Sequence, residues 1–535
     1  MSLSRGALAA GAAVTAAAAV TLTVVLWPDS SDPAHRSDSQ TSPKATSAAP
    51  TPSPTRSYPL SKTPRAIPAV REHTPAHGPG WRPGKDSAVV IAGGSKALDD
   101  EGRLLAGELK IAYRGEKAAR AGDVELALTP TAEGGPESYT LKTHDGRVTI
   151  SGPGQAGVFY GTRTLKQSVR ADGIMPEGEV RDRPDRPQRG LNLDIARKFY
   201  SVGWIEDRLR DMADLKLNQL GLHFSDDQAF RVQSDTHPEI VSPEHLTKAQ
   251  VRKIVALAGK LHIQVVPEID SPGHLGAVLR AHPDLQLRNV SGVASAGSLD
   301  ISKPGAAKLI DELLGEYTEL FPGSYWHLGA DEYLALLARD PAASYPQLQR
   351  AAVRKYGPQA GIEDLATGWL NDRAAVVRPH GKQPKAWNDG LFRDGVVKAG
   401  KNIEIEYWTG KEYGARQPDE YLREGRKVLN LNDEFLYYVL GQPNDFVYPT
   451  GKRIYEQWTP LVMRGTTPVP ARYSHQILGG RFAVWGDLPN AQTAAQVAQG
   501  IRMPLRATSQ KLWDPGKPKL SWDGFRKLAG EIDKG

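Results

Sequence analysis

The run His327-Leu328-Gly329-Ala330-Asp331-Glu332 is apolar up to two adjacent carboxylates, a pair able to move protons or steady a developing charge. Neighbouring side chains at a strand end project in different directions, so these two are poorly placed to face each other across a bond as nucleophile and acid. Separate roles suit them better, one protonating a leaving group while the other positions part of a substrate. Taken alone, an Asp-Glu pair is more often a solvated strand end before a helix. The neighbouring segments shift that balance. Pro267-Glu268-Ile269-Asp270-Ser271-Pro272-Gly273-His274 sets two carboxylates and a histidine around a Pro-Gly turn after an apolar run, an arrangement suited to tuning pKa values. By itself it reads equally well as a capped loop. Metal ligation by Glu268, Asp270 and His274 lacks a second His or Cys at ligand spacing, so the reading is of no metal and no cofactor. Trp387, Trp408 and Trp485 each close an apolar run. One Trp is more often core, but several indoles converging on one mouth suit flat apolar sugar faces, with carboxylates nearby to accept hydroxyl hydrogens.

Elements must bring these residues together. Eight strand-like runs recur after Arg189, at Leu191–Ile195, Gln219–Phe224, Gln264–Ile269, Tyr325–Gly329, Lys385–Asn388, Ile403–Trp408, Val428–Leu431 and Phe482–Trp485, with helix-like stretches between them. Alternation of this kind implies parallel βαβ units, and eight of them over roughly 300 residues predict a closed (β/α)8 TIM barrel. An open doubly wound sheet is the alternative. The polar residues favour the barrel, because they gather at the C-terminal ends of many strands: Asp194 to Arg197, Asp226-Asp227, Glu268 to His274, Asp331-Glu332, Trp387-Asn388, Trp408, Asn430 to Asp433, and Trp485 to Asp487. The barrel is assigned to residues 186–535. Ahead of it, short apolar runs such as Ala88–Ile91 and Val148–Ile150 alternate with turns, Leu104 to Tyr113 reads as a helix, and Gly154 to Val169 reads as a helix packing toward the barrel. Residues 86–185 therefore form a small α+β domain.

A chain of 535 residues with 40% hydrophobic content can bury more than one core. Its 67 basic and 61 acidic residues are dispersed, so the net charge of +6 marks no nucleic-acid-binding face. Gly6 to Trp27 is uncharged, with Arg5 before it and Asp29 and Asp32 after. It exceeds a signal-peptide core of roughly 7–15 residues and nears the roughly 20 that span a bilayer. Residues 1–27 are thus read as an export segment, cleaved as a signal peptide or kept as a membrane anchor, and Arg5 favours an inside N-terminus. The protein is expected outside the cell, secreted or held on the outer membrane face. Residues 28–85, rich in Pro, Ser, Thr and Ala, read as a disordered linker. With no cysteine there is neither a lipid-anchored thiol nor a disulfide framework.

Four motifs in order, Arg189 to Arg197, His223-Phe224-Ser225-Asp226-Asp227-Gln228, Pro267 to His274 and His327 to Glu332, resemble the family 20 glycoside hydrolases. That family includes β-N-acetylhexosaminidases and lacto-N-biosidases, and the resemblance covers roughly residues 86–510. It implies an exo-acting, retaining hydrolase that releases terminal non-reducing β-linked N-acetylhexosamine from glycans or chitin-derived oligosaccharides. By the same resemblance Glu332 is general acid and then base, while Asp331 orients the 2-acetamido group, whose own carbonyl oxygen attacks the anomeric carbon. Asp226 and His274 would relay toward Glu332, Arg197 would bind sugar hydroxyls, and Asp270 also matches a family position. Trp387, Trp408 and Trp485 would wall the pocket, and Tyr437, beside the alternative Tyr438, would donate to the acetamido oxygen. Three departures stand out: Ala330 replaces a Gly and is expected to be tolerated. Val439 falls where the usual Tyr-Leu-Asp pattern ends, and Asp487 replaces a Glu near the 4- and 6-hydroxyls. The last two resemble lacto-N-biosidase-type members, so disaccharide release stays open. A catalytically silent glycan-binding barrel is the other alternative, and intact Asp331, Glu332 and His274 weigh against it.

Overall fold

The computed structural model describes residues 57–535, apart from 412 and 413. The export segment and the linker up to residue 56 lie outside the described residues. Among the described residues, no helix is long and apolar enough to cross a membrane.

The first layer is a seven-stranded sheet: β1 (Glu72–Pro75), β2 (Ala88–Ile91), β3 (Ala112–Glu116), β4 (Val124–Leu128), β5 (Tyr139–His144), β6 (Arg147–Gly152) and β7 (Gly178–Asp182), in the order β1-β7-β5-β6-β4-β2-β3. Its half-buried strands alternate, as Tyr139, Leu141 and Thr143 do along β5, while helices Asp99–Leu109 and Gln155–Asp172 bury their apolar stripes against it. Two sequence expectations need correction here. Residues 58–85 are not linker: β1 pairs antiparallel with β7, and Ile67, Val70 and Trp81 are core. Their backbone is held by side chains of other elements, with Ile67 N–H donating to Gln167 (2.9 Å) and Ala69 N–H to Gln510 (2.8 Å). Proline-rich chain without periodicity looks solvated, yet here side-chain partners and the short β1 ladder together hold it against the core. The first helix also begins earlier, at Asp99, and Lys110 ends it in the left-handed region, so that Ala112–Glu116 continues as β3.

The second unit is a closed parallel barrel: β8 (Gln188–Asp194), β9 (Gln219–His223), β10 (Gln264–Glu268), then, after the hairpin β11 (Gln286–Arg288) and β12 (Ala294–Leu299), β13 (Tyr325–His327), β14 (Gln383–Trp387), β15 (Glu404–Tyr407), β16 (Val428–Asn430), β17 (Tyr437–Val439) and β18 (Ile477–Trp485). Eight of these form the ring, in the order β8-β9-β10-β13-β14-β15-β16-β18, with β18 pairing back to β8. Each of the eight predicted runs overlaps one of them, although β8, β14 and β18 begin earlier than their runs, at Gln188, Gln383 and Ile477. Most barrel strands are buried on both faces, which is why they read as continuous apolar runs. The ring splits at its last joint. β16 pairs with Ile477–Gly480 at the start of β18, whereas β17 pairs with Ala483–Trp485 at its end, so the mouth gains a ninth strand that the bottom lacks.

Helix Gln155–Asp172 joins the two units. Arg163 and Lys166 on it both bridge Glu108 and Asp214, and Arg189 at the base of β8 pairs with Glu137 at 2.9 Å. Asp182, at the end of β7, accepts from Trp513 Nε1 (2.9 Å) and meets the buried Lys216 ammonium (3.3 Å).

Candidate active site

Strand β13 stops at His327, two residues short of the predicted end, and the chain beyond it is not pleated. Gly329 (φ 68°), Ala330 (80°) and Glu332 (45°) all lie in the left-handed region. Only glycine fits at 329, where a Cβ would run into the Asp270 carboxylate. Ala330 takes a strained conformation with its amide donating to Asp270 Oδ1 (3.0 Å), and Gly390 leaves room for its methyl. This kink aims the two carboxylates apart. The Asp331 side chain is 15% exposed and directed to Asp270, whereas that of Glu332 is 51% exposed and lies 3.3 Å from His274 Nε2.

Behind Glu332 runs a file of alternating charge. His274 Nδ1 is 3.4 Å from Asp226 Oδ1, Asp226 Oδ2 is 2.8 Å from His223 Nε2, and His223 Nδ1 is 3.1 Å from Glu268 Oε2. Glu268 also lies 3.1 Å from His327 and accepts from the Trp387 indole at 2.7 Å. Arg197 reaches Asp226 at 2.7 Å and Asp194 at 3.2 Å. Burial alone would strip the proton from His274, but Asp331, Asp226, Glu332 and Asp270 outweigh it and raise its pKa well above the imidazole range. His223 is raised to about 10, because Glu268 and Asp226 overcome its own burial. Contact with His274 lowers Glu332. Burial raises both Asp270 and Asp331, and the neighbouring Asp331 adds to the rise at Asp270, whereas His274 and the contact with Asp270 moderate the rise at Asp331.

A cavity of about 170 Å³ opens at this point, lined by Arg197, His274, Asp331, Glu332, Trp387, Trp408, Tyr437, Trp485 and Asp487, together with Val439, Asn444 and Phe446. Nine of the eleven sequence-predicted site residues thus share one wall, and the other two, Asp226 and Asp270, stand directly behind it. Trp408 stacks parallel on Tyr437 at 5.8 Å, and Trp485 meets both Tyr437 (5.6 Å) and Trp387 (5.8 Å). Tyr438 turns away, its hydroxyl donating to Gln492 and its ring stacking on Tyr448, so of the two tyrosines only Tyr437 faces the cavity. Asp389 was not among the expected residues. It accepts from the Glu332 amide (3.1 Å) and the Trp408 indole (3.0 Å), and burial, reinforced by Asp331, pushes its carboxyl up to about 8. Its position straight after Trp387-Asn388 at a strand end was the signal available. A larger cavity of about 460 Å³ adjoins the first, sharing Glu332 and Trp408 with it.

A paired-carboxylate centre with an aromatic wall, set at the C-terminal mouth of a (β/α)8 barrel, is an arrangement that glycoside hydrolases use. The matching family models are the catalytic domain of glycosyl hydrolase family 20, over residues 187–515, and domain 2 of the same family, over residues 63–183. The chain belongs to glycosyl hydrolase family 20. It is similar to a lacto-N-biosidase of Bifidobacterium bifidum, with 32% identity over 481 residues covering 88% of this chain and 41% of that protein. A β-hexosaminidase of Porphyromonas gingivalis is 29% identical over 430 residues, 73% of this chain and 52% of its own. The chain therefore spans about half the length of these relatives. In fold it is similar to the exo-β-N-acetylglucosaminidase of Vibrio harveyi solved with N-acetylglucosamine (TM-score 0.73, 21% identity, covering 91% of this chain and 79% of that one). A Streptomyces plicatus β-hexosaminidase solved with its product N-acetylglucosamine gives TM-score 0.70 at 22% identity, covering 90% of this chain and 96% of that one.

Proposed function

We propose that the protein is an exo-acting, retaining β-N-acetylhexosaminidase in which the substrate supplies the nucleophile. One observation carries this reading: Asp331 and Glu332 leave a single strand end in different directions, and the aromatic box brings no further carboxylate opposite them except Asp487, which lies beside Arg197. The acetamido carbonyl oxygen attacks the anomeric carbon while Glu332 gives its proton to the departing glycosidic oxygen. Asp331, with Asp270 behind it, accepts the acetamido N–H and steadies the cyclic oxazolinium. Glu332 then takes a proton from water as its oxygen opens that ring, restoring the starting state with retention. His274 sits where it can pass protons to Glu332, and Tyr437 where its hydroxyl can hold the acetamido oxygen. Replacing the substrate's 2-acetamido group by hydroxyl should nearly abolish turnover, and a thiazoline mimic should inhibit competitively. A glycosyl ester trapped on an Asp or Glu by a fluorinated sugar would refute the reading.

Release of a disaccharide is the second reading. It is favoured by Val439 and Asp487 at the cavity wall, where an Asp and a longer Glu would crowd the sugar's outer hydroxyls. Comparing nitrophenyl N-acetylglucosaminide, N-acetylgalactosaminide and lacto-N-bioside decides between the two. The same proposal places the enzyme outside the cell, exported through Gly6–Trp27 and either released or held at the membrane. Fractionation of expressing cells tests this.

A further inference from the structure

His237, Glu239 and His282 meet outside both cavities, on the loop after β9 and at the end of the short helix Gly276–Ala281 after β10. His237 Nδ1 lies 3.0 Å and His282 Nε2 2.9 Å from the same Glu239 oxygen, and the three ligand atoms fall within 4.8 Å of one another. The two rings stand nearly perpendicular, at 81°, so their nitrogens converge rather than stack. Atoms about 3.3 Å apart are what a tetrahedral ion with bonds of ~2.0–2.1 Å requires, and small outward rotations reach it from here. The far nitrogen of His237, Nε2, lies 3.2 Å from Glu312 on helix Pro304–Thr318. A carboxylate behind the ligating imidazole is the arrangement that fixes tautomer and ring direction in histidine metal sites. The separation of 43 positions from Glu239 to His282 hides this cluster from any reading of local spacing.

We propose that His237 Nδ1, His282 Nε2 and one Glu239 oxygen bind a single zinc-class divalent cation, with water completing the tetrahedron and Glu312 orienting His237. Two imidazoles and one carboxylate select such an ion over calcium or magnesium, which take oxygen ligands. The ion replaces the contacts between each ring and Glu239, and because a ligating nitrogen must carry no proton, binding competes with protonation. Its effect is mechanical. It ties the loop that carries Asp226 to the segment that carries His274, while contributing nothing to the reacting atoms.

The test uses the full chain, freed of any histidine tag and stripped with a chelator. Cobalt(II) titrated into it should give the visible bands of a tetrahedral site at one equivalent, displaced by zinc, and zinc should raise the melting temperature. The variant His237→Ala/His282→Ala should lose both responses while keeping its turnover of an aryl N-acetylglucosaminide, which also reports that it is folded. Glu312→Gln should weaken binding by about tenfold. Should the double variant fail to fold, Glu239→Gln, which preserves shape, is expected to show the same loss of binding. The proposal is overturned if the wild-type chain binds no stoichiometric ion, because the triad is then only hydrogen-bonded. It is equally overturned if the double variant binds as tightly and the ion inhibits turnover, because the ion then sits at Asp270, His274 and Asp331.

Discussion

At the scale of single residues, Glu332 and Asp331 separate by environment rather than by type. Glu332 is half-exposed where the two cavities share it, so a sugar in the small cavity and a leaving group in the larger one would both reach its carboxyl. Glu332→Gln should therefore lower kcat by roughly 10²–10⁴ for natural linkages, which need a proton, and far less for activated aryl glycosides. Equal losses on both would remove Glu332 from the acid role. Protonation also shapes stability. His223 and His274 bind protons more tightly in the folded chain than in the unfolded one, His223 with a pKa near 10. Their stabilising contribution is complete below the ordinary imidazole value near 6.5 and is lost at higher pH, that of His223 as pH rises through about 10. Asp226 and Glu268 are lowered, so their contribution is present above about pH 4 and is lost as pH falls. Urea unfolding should show maximal stability between those limits, and His223→Asn should flatten the decline between pH 7 and 10. An unchanged slope in that variant would place the linked protons elsewhere. The charged residues themselves were visible in the sequence. The relay of Asp226 and His274 toward Glu332 followed from the family resemblance, but its continuation through His223 to Glu268 did not, because that needs the ends of β9 and β10 side by side.

At the scale of elements, two irregularities build the pocket. The first is the left-handed kink after β13, where Ala330 holds φ 80°. Relieving that conformation is worth roughly 1–2 kcal/mol, and the added freedom of glycine when unfolded returns about 0.4–1. Ala330→Gly should therefore raise stability by up to about 1.5 kcal/mol. A loss instead would mean that the methyl's packing outweighs the strain. The second is the split at β16, β17 and β18, which inserts Tyr437 beside Trp408 and Trp485. Tyr437→Phe should cut kcat by about 10² if its hydroxyl holds the acetamido oxygen, as donors to a developing charge do, whereas Tyr438→Phe should leave kcat unchanged. All eight ring strands were legible because doubly buried strands are unbroken apolar runs. β17 was not, since three residues that pair only at the mouth carry no pattern of their own.

At the scale of the whole molecule, the two units share a charged seam and an N-terminal segment that composition disguises. Residues 58–85 supply an edge strand and the buried Trp81, so a chain beginning at Ser57 should be soluble and active, while one beginning at Asp86 should unfold or aggregate. Full activity from the shorter chain would show that segment to be dispensable. The pocket has one more consequence, an optical one. Three of the protein's eleven tryptophans, Trp387, Trp408 and Trp485, line the small cavity within reach of ionisable neighbours. A sugar that fills the cavity changes the surroundings of all three indoles, displacing water chiefly from Trp408, since Trp387 and Trp485 are already buried. Occupancy should thus register in the intrinsic emission of the unlabelled protein, and binding by slow variants such as Glu332→Gln can be followed by fluorescence titration without waiting for a bond to break.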